Sequence, residues 1–181
     1  MSVLDRPLIL MGGIVLAASL LTGMLVIQFS SELKFGGAIL VMVVLGVLSR
    51  IPQRFAGGDI GIELITLFTV CTAVAAGMFY AIFVGVLGMG LSWFFTKERP
   101  DDVLIGVIGF GIVAFVAAIL GPMEILVLGM MMTLLYDAMI CAVYVFTGHT
   151  PVGCVKFILT HIIWNFVMFR SFAPYVLAAL A

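Results

Sequence analysis

Charge is what this sequence has least of. Only 9% of its 181 residues are Asp, Glu, Lys or Arg, against roughly a quarter in a soluble domain. The net charge is −1 and no basic cluster occurs, so the chain has no surface that could neutralise a run of phosphates, and nucleic acid is excluded as a partner. Cysteine is scarce as well. Cys71, Cys141 and Cys154 lie in or beside apolar runs without a CxxC spacing, which excludes a disulfide framework and reads as small packing residues. No zinc, haem or iron–sulfur ligand set is apparent, so neither a metal nor a cofactor is expected. No GxxxxGK[ST] loop occurs, so any use of ATP belongs to partner chains.

What fills the space is apolar. Hydrophobic residues make up 65% of the chain and the mean hydropathy is +1.37, the composition of an integral membrane protein. The polar stretches are short loops, so residues 1–181 form a single membrane domain. The expected fold is all-α, a polytopic bundle of six to seven transmembrane helices. Leu8 to Gln28 is long enough to cross about 30 Å of hydrocarbon, and its apolar part is too long for a signal-peptide core. SSELK with Gly36 and Gly37 marks a turn, Gly36 to Ile51 is the second segment, and Pro52 with QRFAGGD is expected to break it. Ile60 to Phe95 exceeds one crossing, since its helix would span roughly 54 Å. It is expected to fold back near Gly77 into Ile60–Ala76 and Met78–Phe95. Val103 to Leu120, Met123 to Thr147, and Cys154 to Ala181 with a kink at Pro174 complete a count of seven.

The basic residues support that count, because Lys and Arg accumulate in cytoplasmic loops. Seven crossings put Arg6, Arg50, Arg54, Lys97, Arg99 and Lys156 on one side, and Lys34 and Arg170 on the other. The expected location is the cell membrane, multi-pass, with the N-terminus cytoplasmic.

An ionisable residue at membrane depth is costly unless it has a partner. Asp137 in LLYDAMI lies roughly 15 Å below the inner end of its helix, and His161 in THIIWN roughly 12 Å. A short loop joins the two helices, which makes them antiparallel neighbours, and residues 161 and 165 share one helix face. Asp137, His161 and Asn165 are therefore expected to converge, flanked by Tyr136 and Trp164 as aromatic walls. One reading is polar glue that fixes helix register. The other is a site for a small molecule or a proton, since a carboxylate and an imidazole at midplane beside aromatic surfaces are what such a pocket requires. Glu63 and Asp59 read as charges capping the third segment near the inner surface, and Glu124 as a cap on the sixth or a partner of Arg170, which otherwise snorkels to the interface.

The stretch IPQRFAGGDIGIELITLFTVCTAVAAGMFYAIFVGVLGMGLSWFF, with Pro52, Gly77, Gly85 and Gly88, resembles the early part of substrate-binding S-components of energy-coupling-factor vitamin transporters, and HIIWNFVMFRSFAPYVLAAL resembles their closing helix. The similar parts cover about half the chain through loose patterns of Gly, Pro and apolar residues. The resemblance implies a compact bundle that binds a small vitamin-like solute and works with a membrane subunit and ATPases. That family has six helices with both termini cytoplasmic, one fewer than counted here. His161 and Asn165, with Phe157 before them, also resemble motifs of CAAX-processing intramembrane proteases, a family that needs a Glu-Glu pair absent from this sequence. A third possibility is a membrane scaffold or a subunit of a larger complex, held among lipids by faces rich in Met and small residues. Single cysteines introduced at Arg54 and Lys156 should be labelled by a membrane-impermeant maleimide only from the cytoplasmic side, and one at Lys34 only from the opposite side. Labelling of Lys34 and Lys156 positions from the same side would break the seven-segment count.

Overall fold

A computed structural model describes residues 31–56, 60–96 and 98–181, and the segment Leu8 to Gln28 lies outside them. The described residues form eight helices: α1 (Ser31–Ser49), α2 (Ile51–Ala56), α3 (Ile65–Ala76), α4 (Met78–Thr96), α5 (Pro100–Leu120), α6 (Ile125–Phe146), α7 (Pro151–Ser171) and α8 (Ala173–Leu180). Five spans are long and apolar enough to cross a membrane: Leu33–Phe55, which takes in α1 and most of α2, and the four helices α4 to α7. The chain is an all-α, multi-pass membrane bundle.

The fold-back at Gly77 is present. Gly77 adopts φ 88°, ψ 176° between α3 and α4, a backbone region that L side chains avoid. With a Cβ there, Ile65–Thr96 could not reverse in a single residue. The other boundaries hold several corrections. Residues 31–34 of SSELK are helical rather than a turn, since α1 begins at Ser31. The second segment does break beside Pro52, between Ser49 and Ile51, but QRFA continues as the helix α2, with Pro52 in its first turn, where its missing N–H leaves no bond unmade. The last segment does not kink at Pro174 but breaks at Phe172, and Pro174 lies in the first turn of α8. α8 then packs on α3 and α1 instead of prolonging α7.

The largest departure is in the third segment, expected as a helix from Ile60. Helix α3 begins only at Ile65, and Ile60–Leu64 is non-helical. Twelve residues span about 18 Å, little more than half the hydrocarbon thickness. α3 is also the centre of the bundle. It packs against α1, α4, α5, α6, α7 and α8, and every residue from Ile65 to Ala73 is buried.

The burial pattern runs opposite to that of a water-soluble core. Leu40, Phe79, Phe94, Ile119, Phe146, Ile163 and Tyr175 are exposed, whereas Thr66, Thr69, Thr72, Ser92, Thr133, His161 and Asn165 are wholly enclosed. Apolar side chains face outward where lipid would lie, while these hydroxyl, amide and imidazole groups are enclosed, Ser92 and Thr133 bonding carbonyls of their own helices. At one end of the bundle, Arg50 pairs with Glu98 and His149 with Asp102. The α1–α2, α4–α5 and α6–α7 connections therefore share that end, together with the basic residues Arg50, Arg54, Arg99 and Lys156. Arg6 and Lys97 lie outside the described residues.

Helices α6 and α7 are packed antiparallel in a definite register. A Cβ on Gly129 would stand 2.4 Å from the Phe169 ring, and two turns further along α6, Asp137 meets His161. Eight residues forward on α6 correspond to eight back on α7, so Thr133 stands level with Asn165. Gly129→Val should therefore overpack the seam and destabilise the protein by about 1–3 kcal/mol in thermal unfolding of the detergent-solubilised chain. Phe169→Ala in the same molecule should recover part of that loss, and strict additivity of the two losses would contradict the contact.

Candidate functional site

The site lies where the N-terminus of α3 meets α6 and α7. By helical rise, His161 is about 15 Å from the start of α7 and Asp137 about 14 Å from the end of α6, so both stand well inside the apolar layer. His161 uses both ring nitrogens: Nδ1 is 2.5 Å from Asp137 Oδ1, and Nε2 is 3.0 Å from Glu63 Oε1. All three side chains are buried, His161 completely. Asn165, one turn along α7, donates from Nδ2 to the His161 carbonyl at 3.1 Å.

The charge of this group follows from its hydrogen bonds. A doubly protonated ring donates to two carboxylates, while a neutral ring donates to one carboxylate and accepts from a protonated carboxyl on the other side. Both forms hold the same number of protons. In both, Glu63, His161 and Asp137 together carry one negative charge.

Glu63 reaches His161 because of the irregular segment before α3. Its carboxylate oxygens accept from the Thr66 N–H at 3.1 and 3.0 Å and from the Thr66 hydroxyl at 2.5 Å, which caps the helix and places negative charge at the positive end of the α3 dipole. Capping was the expected role, but the surface location was not: Glu63 is 3% exposed. The rest of the segment is held by side chains. The Gly61 N–H donates to Thr160 Oγ1 at 2.8 Å, the Leu64 N–H to Ser49 Oγ at 2.8 Å, and Trp164 Nε1 to the Glu63 carbonyl at 2.6 Å. Phe68 N donates to the Leu64 carbonyl at 3.0 Å as the first turn of α3 closes. A Cβ on Gly61 would stand 2.2 Å from that of His161, so the chain crosses directly over the histidine.

All five residues expected in the site lie together. Asp137, His161 and Asn165 are enclosed as described, and Tyr136 has its ring 5.7 Å from that of His161, stacked at 4.5 Å on Phe110. Trp164 is partly buried and acts as a donor to the backbone over the site. Glu63 was missed as a member. Its signal is a single carboxylate in the apolar run GIELITLF, which reads as a surface cap when the helix starts at Ile60 and as a buried group once it starts at Ile65. Asp59, the other expected cap, lies outside the described residues. Glu124 caps α6, accepting from Leu126 N at 3.1 Å and Val127 N at 2.8 Å, and Arg170 is exposed.

Not every polar atom is satisfied. Asp137 Oδ2, Asn165 Oδ1, Thr69 Oγ1 and, outside this group, Glu98 Oε2, all buried, have no hydrogen-bond partner among the described residues. An unmet buried acceptor costs about 1–3 kcal/mol. A second polar group lies nearer the end of the bundle, where Arg50 holds Glu98 and donates to Gln53 Oε1 at 2.9 Å. Opposite charges cancel there. Among the described residues no three His, Cys, Asp or Glu side chains are arranged to hold a metal ion.

The fold and this enclosed carboxylate–imidazole–carboxylate group define a multi-pass α-helical membrane protein with a polar centre. Compared with protein-family models, curated proteins and solved structures, the chain has no match. His161→Ala should strip both carboxylates of their partner and destabilise the protein by about 3–5 kcal/mol, whereas Trp164→Phe, losing one hydrogen bond, should cost roughly 1 kcal/mol. Equal losses in chemical denaturation would show that His161 is not the hub.

Proposed function

We propose that this protein is a transport subunit of the cell membrane that holds a small, vitamin-like solute in an intramembrane pocket formed by Asp137, His161 and Asn165, with Tyr136 and Trp164 as aromatic walls and Glu63 as a further member. The observation that carries this reading is the pair of unpartnered acceptors, Asp137 Oδ2 and Asn165 Oδ1, on side chains otherwise fixed to His161. Polar glue alone has no use for orphaned oxygens at membrane depth, whereas a ligand site does. The resemblance to S-components of energy-coupling-factor transporters points the same way. It adds the expectation that other membrane subunits and ATPases supply the energy, since the chain has no phosphate-binding loop of its own. In this reading the N-terminus is cytoplasmic, in line with the distribution of Lys and Arg.

One observation favours a different reading, a membrane scaffold or a subunit of a larger complex. Each His161 nitrogen already has a carboxylate partner, as a purely structural seam would require. Native mass spectrometry of gently purified wild-type protein and Asp137→Asn separates the two. A solute retained by wild type and absent from a folded Asp137→Asn protein is the expected result. No retained solute, together with easier unfolding of the variant, would replace the pocket with a structural seam.

A further inference from the structure

The unpartnered groups of the site share a chemistry that narrows what can occupy it. Asp137 Oδ2 and Asn165 Oδ1 are both acceptors, and the amide of Asn165 is oriented by the bond from its Nδ2 to the His161 carbonyl, so neither can offer a proton to a ligand. Asp137 is 2% exposed and Asn165 fully enclosed, so bulk water does not reach them. Each side chain has its other polar atom fixed on His161. Asp137 is level with His161, and Asn165 stands one turn further along α7, so the two side chains are about one helical turn apart along the bundle axis. Thr69 Oγ1 on α3, also unpartnered, lies against Gly85 of α4, where a Cβ would stand 2.8 Å from it, and forms no part of this pair.

Charge points the same way as the acceptors. Glu63, His161 and Asp137 keep one negative charge when both of their hydrogen bonds are filled, and the nearest strong cation, Arg50, is already engaged by Glu98 and Gln53. An anion would meet repulsion and no free donor except a threonine hydroxyl. A neutral aromatic ring would leave both oxygens unmet. A metal ion would need a convergent ligand set that the described residues lack.

We infer that the group recognised in this site is a cationic nitrogen bearing N–H donors, a protonated amine or amidine, bound between Asp137 Oδ2 and Asn165 Oδ1. This rests on the solute-binding reading above and specifies its substrate class. The N–H groups fill the orphaned acceptors, and the positive charge cancels the residual negative one.

The test is thermal unfolding of the detergent-solubilised full chain with graded n-butylammonium, guanidinium, tetramethylammonium, butyrate, 1-butanol or magnesium chloride, alongside the mass of any solute retained by wild type. Butylammonium and guanidinium should raise the melting temperature with saturation. Tetramethylammonium, which has the charge but no N–H, should not, and neither should butyrate, butanol or magnesium. Asn165→Leu should weaken butylammonium by about tenfold, the loss of one charged hydrogen bond. If that variant fails to fold, Asp137→Asn, which removes the carboxylate charge from the pair, should abolish the butylammonium response. A retained solute without a basic nitrogen, or stabilisation by butyrate, butanol or magnesium in place of the amines, overturns the cationic class while leaving solute binding intact. Equal stabilisation by tetramethylammonium overturns the donor requirement. A wild type that retains nothing and responds to no probe overturns both readings.

Discussion

A helix that starts inside an apolar layer must find partners for backbone groups that water would otherwise serve. The start of α3 meets that demand with side chains. Glu63 caps the Thr66 N–H, Ser49 takes the Leu64 N–H, Thr160 takes the Gly61 N–H, and Trp164 donates to the Glu63 carbonyl. Those partners come from α1, α7 and the segment itself, so the shortness of α3 ties three parts of the chain to one point. Remove the demand, by making α3 a full-length helix, and neither Thr160 nor Trp164 would have a backbone to bind.

The same point sets the pairing of α6 with α7. Lipid supplies no hydrophobic drive between helices, so close packing and polar contacts must select the register. Gly129 against Phe169 and Asp137 against His161 lie eight residues apart on each helix, and a slip of one residue would bring the ring onto a Cβ and part the carboxylate from the imidazole together. Steric fit and hydrogen bonding thus select one arrangement. That rigidity is what lets His161 present both nitrogens to fixed partners.

Much of the architecture was legible because membrane helices announce themselves by apolar length. The turn at Gly77, the α6–α7 hairpin and the meeting of Asp137, His161 and Asn165 all follow from run lengths, a glycine and a four-residue spacing. What escaped was local and non-periodic. Ile60–Leu64 is apolar enough to pass for helix, and nothing in its composition reveals that three distant side chains, those of Ser49, Thr160 and Trp164, hold it open. Glu63 was for that reason placed at the surface. The break at Phe172 was likewise hidden, because an apolar run continues through it and Pro174 suits either a kink or a new first turn. The free oxygens of Asp137 and Asn165 could not be foreseen at all, since a spacing shows which residues meet but not which of their atoms remain unused.

The contacts at Gly61 and Glu63 also set an order of events during assembly. Glu63 is separated from His161 by 98 positions and from Trp164 by 101, so when α3 emerges from the ribosome its capping segment lacks most of its eventual partners. The hairpin of α3 and α4, joined at a single glycine, can form early, whereas the centre of the bundle closes only when α7 arrives. Long-range closure of this kind is slow compared with local pairing. The start of α3 therefore stays without these partners until α7, about a hundred positions further on, has been made, and it is α7 that encloses the middle.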